Sequence, residues 1–221
     1  MTVLDDSVGG SSFFGLAMLP GNSAMLVVDF GWNPSPRLRY INAALQEEPL
    51  GTRFANPFLS VGGFRVGDLV PFNAQTVTIG GKASVFVTYV NSSSEPAVED
   101  AGRGRLVEYT ASGEMVAIWD DRGALNAPWG VVVSPADFGP FSNQLLVSNF
   151  ADGTILGFDT ATRSATEYMR DVSGNTLAIP GLWNLLFGNG ASLGDSNALY
   201  FAAGPADETD GIFGSLRLVG A

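Results

Sequence analysis

Apolar residues in this chain come in short runs separated by Gly, Pro, Asn and Asp, which leaves no room for a helix of ordinary length. Alternation such as Leu106-Val107-Glu108-Tyr109 and Ile155-Leu156-Gly157-Phe158 fits antiparallel strands with one buried face. The unbroken apolar runs at 131–133 and 185–187 fit strands buried on both faces. The pattern predicts an all-β protein.

The runs also repeat. An aromatic residue followed by Gly or Asn opens a strand in FFGLAML (13–19), PFNAQTVTI (71–79), PWGVVVSP (128–135) and GLWNLLFGN (181–189). Taking Phe14, Phe72, Trp129 and Trp183 as markers, the intervals are 58, 57 and 54 residues. Second strands are expected at 24–30, 84–90, 143–150 and 197–204, and third strands at 37–42, 104–110, 153–159 and 211–219. More polar fourth strands are expected at 52–56, 114–120 and 164–170.

Four strands per unit, with apolarity falling from first to last, is the pattern of a β-propeller blade. The units span approximately 11–56, 71–120, 128–170 and 181–219 of a single domain covering 1–221. Small residues beside the markers, Gly15, Asn73, Gly130 and Asn184, allow crowding near the axis, while the aromatics would wedge between blades. The last unit stops after its third strand, and residues 2–5 resemble a fourth strand without a blade. Two arrangements follow: four blades closed by sharing strands between the termini, or part of a six-bladed propeller whose open edge invites self-association.

Charge and missing residue types narrow the chemistry. With 22 acidic against 11 basic residues and a net charge of −11, the surface repels nucleic-acid backbones and anionic lipid. No apolar run is long enough for membrane insertion. The absence of His and Cys removes disulfides, thiolate nucleophiles, Ser-His-Asp triads and His-bound zinc. Catalysis would have to use carboxylates, hydroxyls, amides, Arg, Tyr, Lys82 or an oxygen-bound metal.

The stretch from Gly102 to Thr160, with the later IPGLWNLLFGNG and ALYFAAGPADETDGIFGSL, resembles a family of bacterial, mostly exported propeller proteins related to the NHL-repeat group and of unknown function. The shared fingerprint is PWG, GPFSN-LLV-NF-DG, GLW-L-FGNG and AG-DE-DG-FG-L, with a weaker match at PFNAQ. The resemblance implies a propeller fold and an extracellular or periplasmic location. Family members usually begin about two blades earlier, and many carry a signal peptide, so this chain reads as shortened. Histidines that the family tends to carry in the loop matching DFGWN (29–33) and near Thr209-Asp210 are absent here.

In a propeller, loops joining second to third strands open on the same face as loops entering the first strands. Asp29, Asn91, Asn149, Asp152, Asp207, Glu208 and Asp210 are expected in the former, with Asn73 and Asn184 at the starts of first strands. Ligand binding is expected at Asn73, Asn149 and Asn184, and Ca²⁺ binding by Asp29, Asp207 and Glu208, since Ca²⁺ takes carboxylate and amide oxygens. Asp152-Gly153 is also a hairpin-turn signal, and Glu95, Glu99 and Asp100 read as a solvated surface loop. Three functions remain open: a non-enzymatic module binding a protein or glycan, a Ca²⁺-dependent lactonase-like hydrolase, and a self-associating structural protein. The lack of an acid-base constellation favours the first.

Overall fold

The computed structural model describes residues 4–6, 8–93 and 102–219. Its strands form four antiparallel sheets, one per repeat unit. The first blade contains β1 (Phe13–Met18), β2 (Ala24–Asp29), β3 (Arg37–Asn42) and β4 (Glu47–Glu48). The second contains β5 (Leu69–Ile79), β6 (Lys82–Asn91), β7 (Arg105–Tyr109) and β8 (Met115–Ile118). The third contains β9 (Pro128–Val133), β10 (Leu145–Asn149), β11 (Ile155–Asp159) and β12 (Ser164–Tyr168). The fourth contains β13 (Leu182–Phe187), β14 (Leu199–Ala203) and β15 (Ile212–Leu216), and the described residues add no fourth strand to it.

The strand expected at 52–56 is instead a turn, and the short outer strand is β4. Gly51 and Phe54 both have positive φ, and the Phe54 N–H donates to Gly113 O rather than to a neighbouring strand. Phe54 is apolar because its ring is buried, 5.5 Å from the Tyr109 ring, so a turn residue carries a strand-like signal. Of the expected closing strand at 2–5, residues 2 and 3 lie outside the described residues, and Leu4 and Asp5 form no strand. Glu95, Glu99 and Asp100 also lie outside them.

The repeat signature has a structural cause. In every blade, the pairing of first and second strands shifts register at the marker: between Phe13 and Leu16, Pro71 and Asn73, Val147 and Asn149 opposite Pro128 and Val131, and Leu182 and Leu185. A β-bulge inserts one residue and leaves its N–H without a ladder partner. Second-strand hydroxyls supply that partner: Asn73 N donates to Thr88 Oγ1 at 3.0 Å, and Gly130 N to Ser148 Oγ at 2.7 Å.

The chain divides into two compact units, the first holding blades one and two and the second holding blades three and four. In the first, Leu26, Val28 and Leu38 pack with Val85, Val87 and Tyr89. The Tyr89 and Tyr109 hydroxyls meet at 2.7 Å, and Tyr109 donates to Ala55 O at 2.8 Å. Burial pushes Tyr109 up to about 12 and raises Tyr89 as well. In the second, Leu146 and Ile155 pack with Leu182, Leu185 and Leu199. A buried aliphatic side chain contributes about 1.5–3 kcal/mol, so these layers carry each unit.

Two glycines set how closely blades approach within a unit. A Cβ on Gly15 would lie 2.8 Å from Asn73 Cα, and one on Gly130 would lie 3.1 Å from Asn184 Cα and 2.8 Å from Leu185 N. At the far end of the second blade, Gly80-Gly81, both with positive φ, turns β5 into β6, and the exposed Lys82 opens the new strand.

Candidate functional site

The last residue of the second strand is Asp29 in blade one, Asn91 in blade two and Asn149 in blade three, all buried. Asp29 accepts hydrogen bonds from Ser11 Oγ (2.8 Å), Ser12 N (3.1 Å) and Gly31 N (3.0 Å), which hold the loop entering β1. It also faces two guanidinium groups, Arg37 at 3.1 Å and Arg39 at 3.3 Å. Arg39 bonds in addition to Glu47 at 2.7 Å and Asp6 at 2.8 Å. Hydrogen bonding to Glu47 raises Arg39 and lowers Glu47, while the Ser11 hydroxyl, followed by Arg39, lowers Asp6. The charge of Asp29 is therefore already balanced by arginine, and this residue does not fit a Ca²⁺ site.

Asn149 has a comparable bracing role. Its Oδ1 accepts from Asn126 N at 3.0 Å, and its Nδ2 donates to Ala124 O at 3.1 Å and Thr154 Oγ1 at 2.9 Å. Asp152 is part of the same network, accepting from Asn126 Nδ2 and Thr154 N, each at 3.0 Å. Gly153 has φ 72°, as an Asp-Gly turn requires. Asn91 is buried, and its Oδ1 accepts from Ser93 N at 3.0 Å.

Asp207 and Glu208 lie in an exposed turn where Ala206, Asp207 and Glu208 all have left-handed φ, between 53° and 62°. Backbone bonds from Glu208 N to Gly204 O and from Thr209 N to Ala206 O hold it. Among the described residues, no group of three or more acidic side chains is arranged to hold a metal ion.

The marker aromatics pack within their units. Phe14 stacks on Phe30 at 4.9 Å, and Phe72 lies 5.8 Å from Phe14. Trp129 meets Trp183 edge-on at 4.4 Å, and Trp183 also lies 4.1 Å from Phe150. Asn73 is buried beside Gly15, whereas Asn184 is exposed and its Oδ1 accepts from Leu185 N at 3.0 Å.

Asn184 opens onto a groove of about 520 Å³ in the second unit, lined chiefly by Leu186, Leu193, Tyr200, Ala202 and Phe213. Strand register accounts for this face: Leu186 pairs with Tyr200, Tyr200 with Ser215, and Ala202 with Phe213, so their side chains share one side of the sheet. The Tyr200 and Phe213 rings stack at 5.8 Å with planes only 8° apart. Asp195 N donates to the Tyr200 hydroxyl, and the Asp195 carboxylate pairs with Arg217. Asn184 alone among these residues is singled out by the sequence. Leu186, Tyr200, Ala202 and Phe213 are apolar or aromatic at strand positions, which reads as core, and Leu193 lies in the loop between β13 and β14.

No family model matches the chain. Two uncharacterized proteins of Acanthamoeba polyphaga mimivirus are each 33% identical to it over 120 residues, 54% of this chain but 31% and 29% of theirs. The chain thus spans less than a third of the curated relatives it matches. Among solved structures, it is similar to an α-L-arabinofuranosidase from Fusarium graminearum, with TM-score 0.57 and 13% identity, covering 95% of this chain and 59% of that one. It is also similar to hydrazine synthase from Kuenenia stuttgartiensis, with TM-score 0.53 and 11% identity, covering 95% and 46% respectively. The chain has a β-propeller fold. At these identities the structural likeness speaks to fold and not to activity.

Proposed function

We propose that this chain is a non-enzymatic β-propeller interaction module that binds a protein partner through the exposed face of its fourth blade. The observation that carries this reading is the apolar groove around Asn184, in which Leu186, Leu193 and Phe213 are exposed together. A contiguous apolar surface containing one orienting amide favours a protein, because a glycan would call for several converging polar groups. The fingerprint shared with exported bacterial propellers supports such a role outside the cytoplasm.

A photo-crosslinking amino acid at position 213, used in cells that make the protein, tests the reading, with position 172 on another exposed surface as control. A discrete crosslinked protein from position 213 alone supports it. Equal or absent crosslinking from both positions rejects it.

A further inference from the structure

The connection from β4 to β5, residues 49–68, carries a finger at 59–67 whose apolar side chains stand in solvent. Val61 is 94% exposed, Val66 69% and Leu59 42%. A loop without a fixed shape would let such residues fold back onto the blade. This one is held by the Asp68 carboxylate, which accepts from Ser60 N at 3.0 Å, Ser60 Oγ at 2.6 Å and Arg65 N at 2.8 Å. Gly63 N donates to Ser60 O and Asp68 N to Arg65 O, each at 3.0 Å, so the finger satisfies part of its own backbone. Its base is tied to the residue after β6, with Gly67 N donating to Ser92 Oγ at 2.9 Å and Ser92 N to Asp68 O at 3.0 Å. Connections this long are uncommon in compact domains and generally carry function.

Trp32, in the loop between β2 and β3, extends the same surface. Its ring is 51% exposed and meets Phe64 of the finger at 5.7 Å, edge to face. The loop around Trp32 is also fixed, because Arg37 Nη1 donates to Asn33 O at 3.1 Å and Ser35 O at 3.2 Å. All these residues belong to the first unit, which therefore presents a preorganised apolar projection.

Residue type and charge indicate what covers it. Protein interfaces are anchored by Trp, Tyr and Arg, with Val and Leu under-represented among the anchors. Here the most exposed side chains of the finger are aliphatic, and its aromatic Phe64 is more covered. Aliphatic groups at the tip with Trp beside them match a bilayer interface, where the former enter the acyl boundary and Trp stays at headgroup level. Between Glu48 and Asp68 the sequence carries two arginines and no acid, although the chain has a net charge of −11. One of the two, Arg65, is exposed on the finger and donates to Val61 O at 3.3 Å, which places a guanidinium beside the aliphatic tip for a headgroup phosphate. The acidity of the whole chain disfavours anionic lipid, so a zwitterionic surface fits best.

We infer that this finger docks the protein on a zwitterionic lipid surface, with Val61, Val66 and Leu59 entering the acyl boundary, Trp32 at the headgroups and Arg65 at the phosphates. The contact is shallow and reversible, and it does not span the bilayer. It uses residues of the first unit only and does not depend on the fourth-blade groove.

Flotation of the full chain with phosphatidylcholine vesicles tests the inference. The unmodified chain should float, and Val61→Asp combined with Val66→Asp should lower its partition at least about tenfold, because two aliphatic anchors become charges. Circular dichroism and thermal melting verify folding, with Val61→Ser and Val66→Ser replacing a pair that fails to fold. Val172→Asp, at an exposed site of the second unit, should leave the partition unchanged. Vesicles should also shift tryptophan emission to the blue, and Trp32→Phe should abolish the shift. An unmodified chain that does not bind vesicles overturns the inference, as do equal losses in the finger and Val172 variants. A photo-crosslinker at position 61 that captures a protein in cells, while vesicles stay unbound, assigns the finger to a protein partner and likewise overturns it.

Discussion

Asn73 and Asn184 occupy the same position of the repeat in different surroundings. Both place their Cα against a glycine of the preceding blade, within 2.8 and 3.1 Å of where its Cβ would stand. Asn73 is nevertheless buried, while Asn184 opens onto a groove. The same local sequence logic thus builds a packed blade in one case and a binding face in the other. What differs is how far the asparagine side chain reaches solvent.

The shared part of that comparison should be the easiest to break. Gly15→Val and Gly130→Val place carbon atoms against backbone that cannot move aside, so each should destabilise by about 3 kcal/mol or more in urea denaturation. A small effect at either position would show that blade approach does not depend on the glycine.

The two charged networks should then separate. Arg39→Met leaves Asp29 with one arginine and should destabilise by about 3 kcal/mol, whereas Arg217→Met removes an exposed pair and should leave the melting temperature essentially unchanged. Glu47 and Asp6 are lowered in the fold, so their contribution is complete above their ordinary values of 4.5 and 3.8 and disappears as pH falls through the lower folded values. Arg39→Met should flatten this acid-side decline in a series of melts.

The asparagines give the direct contrast. Asn73→Ala should destabilise by about 1–3 kcal/mol, because truncating a buried side chain leaves a void among its packed neighbours. Asn184→Ala should stay within about 0.5 kcal/mol, as a surface change does. Equal losses would mean that the groove does not distinguish the two positions.

Tyr109→Phe should destabilise by about 1 kcal/mol by removing one side of the hydroxyl pair. Because Tyr109 is raised from 10.0 to about 12, its contribution is complete below pH 10 and lost as pH rises between those values. The variant should show a weaker alkaline decline in denaturant titrations.

The strand pattern was legible because turn residues and alternation act locally, and the bulges explain why Gly or Asn follows each aromatic marker. The turn around Phe54 was misleading because burial, not strand pairing, selects its apolar side chain. Asp29 read as a metal ligand because an acid in a loop looks alike whether free or paired. The signal that could have assigned its partners was Arg37-Leu38-Arg39, two cations on one side of the neighbouring strand. Phe213 could not be recognised as exposed, since the same position is apolar in all four blades and coverage depends on distant parts of the chain.

The Gly80-Gly81 turn has a practical consequence through Lys82, the sole lysine side chain. An amine-reactive dye or resin has one side-chain target, at the end of β6 opposite Asn91. Under conditions that spare the terminal amine, the protein can be tethered by that hairpin tip in a uniform orientation.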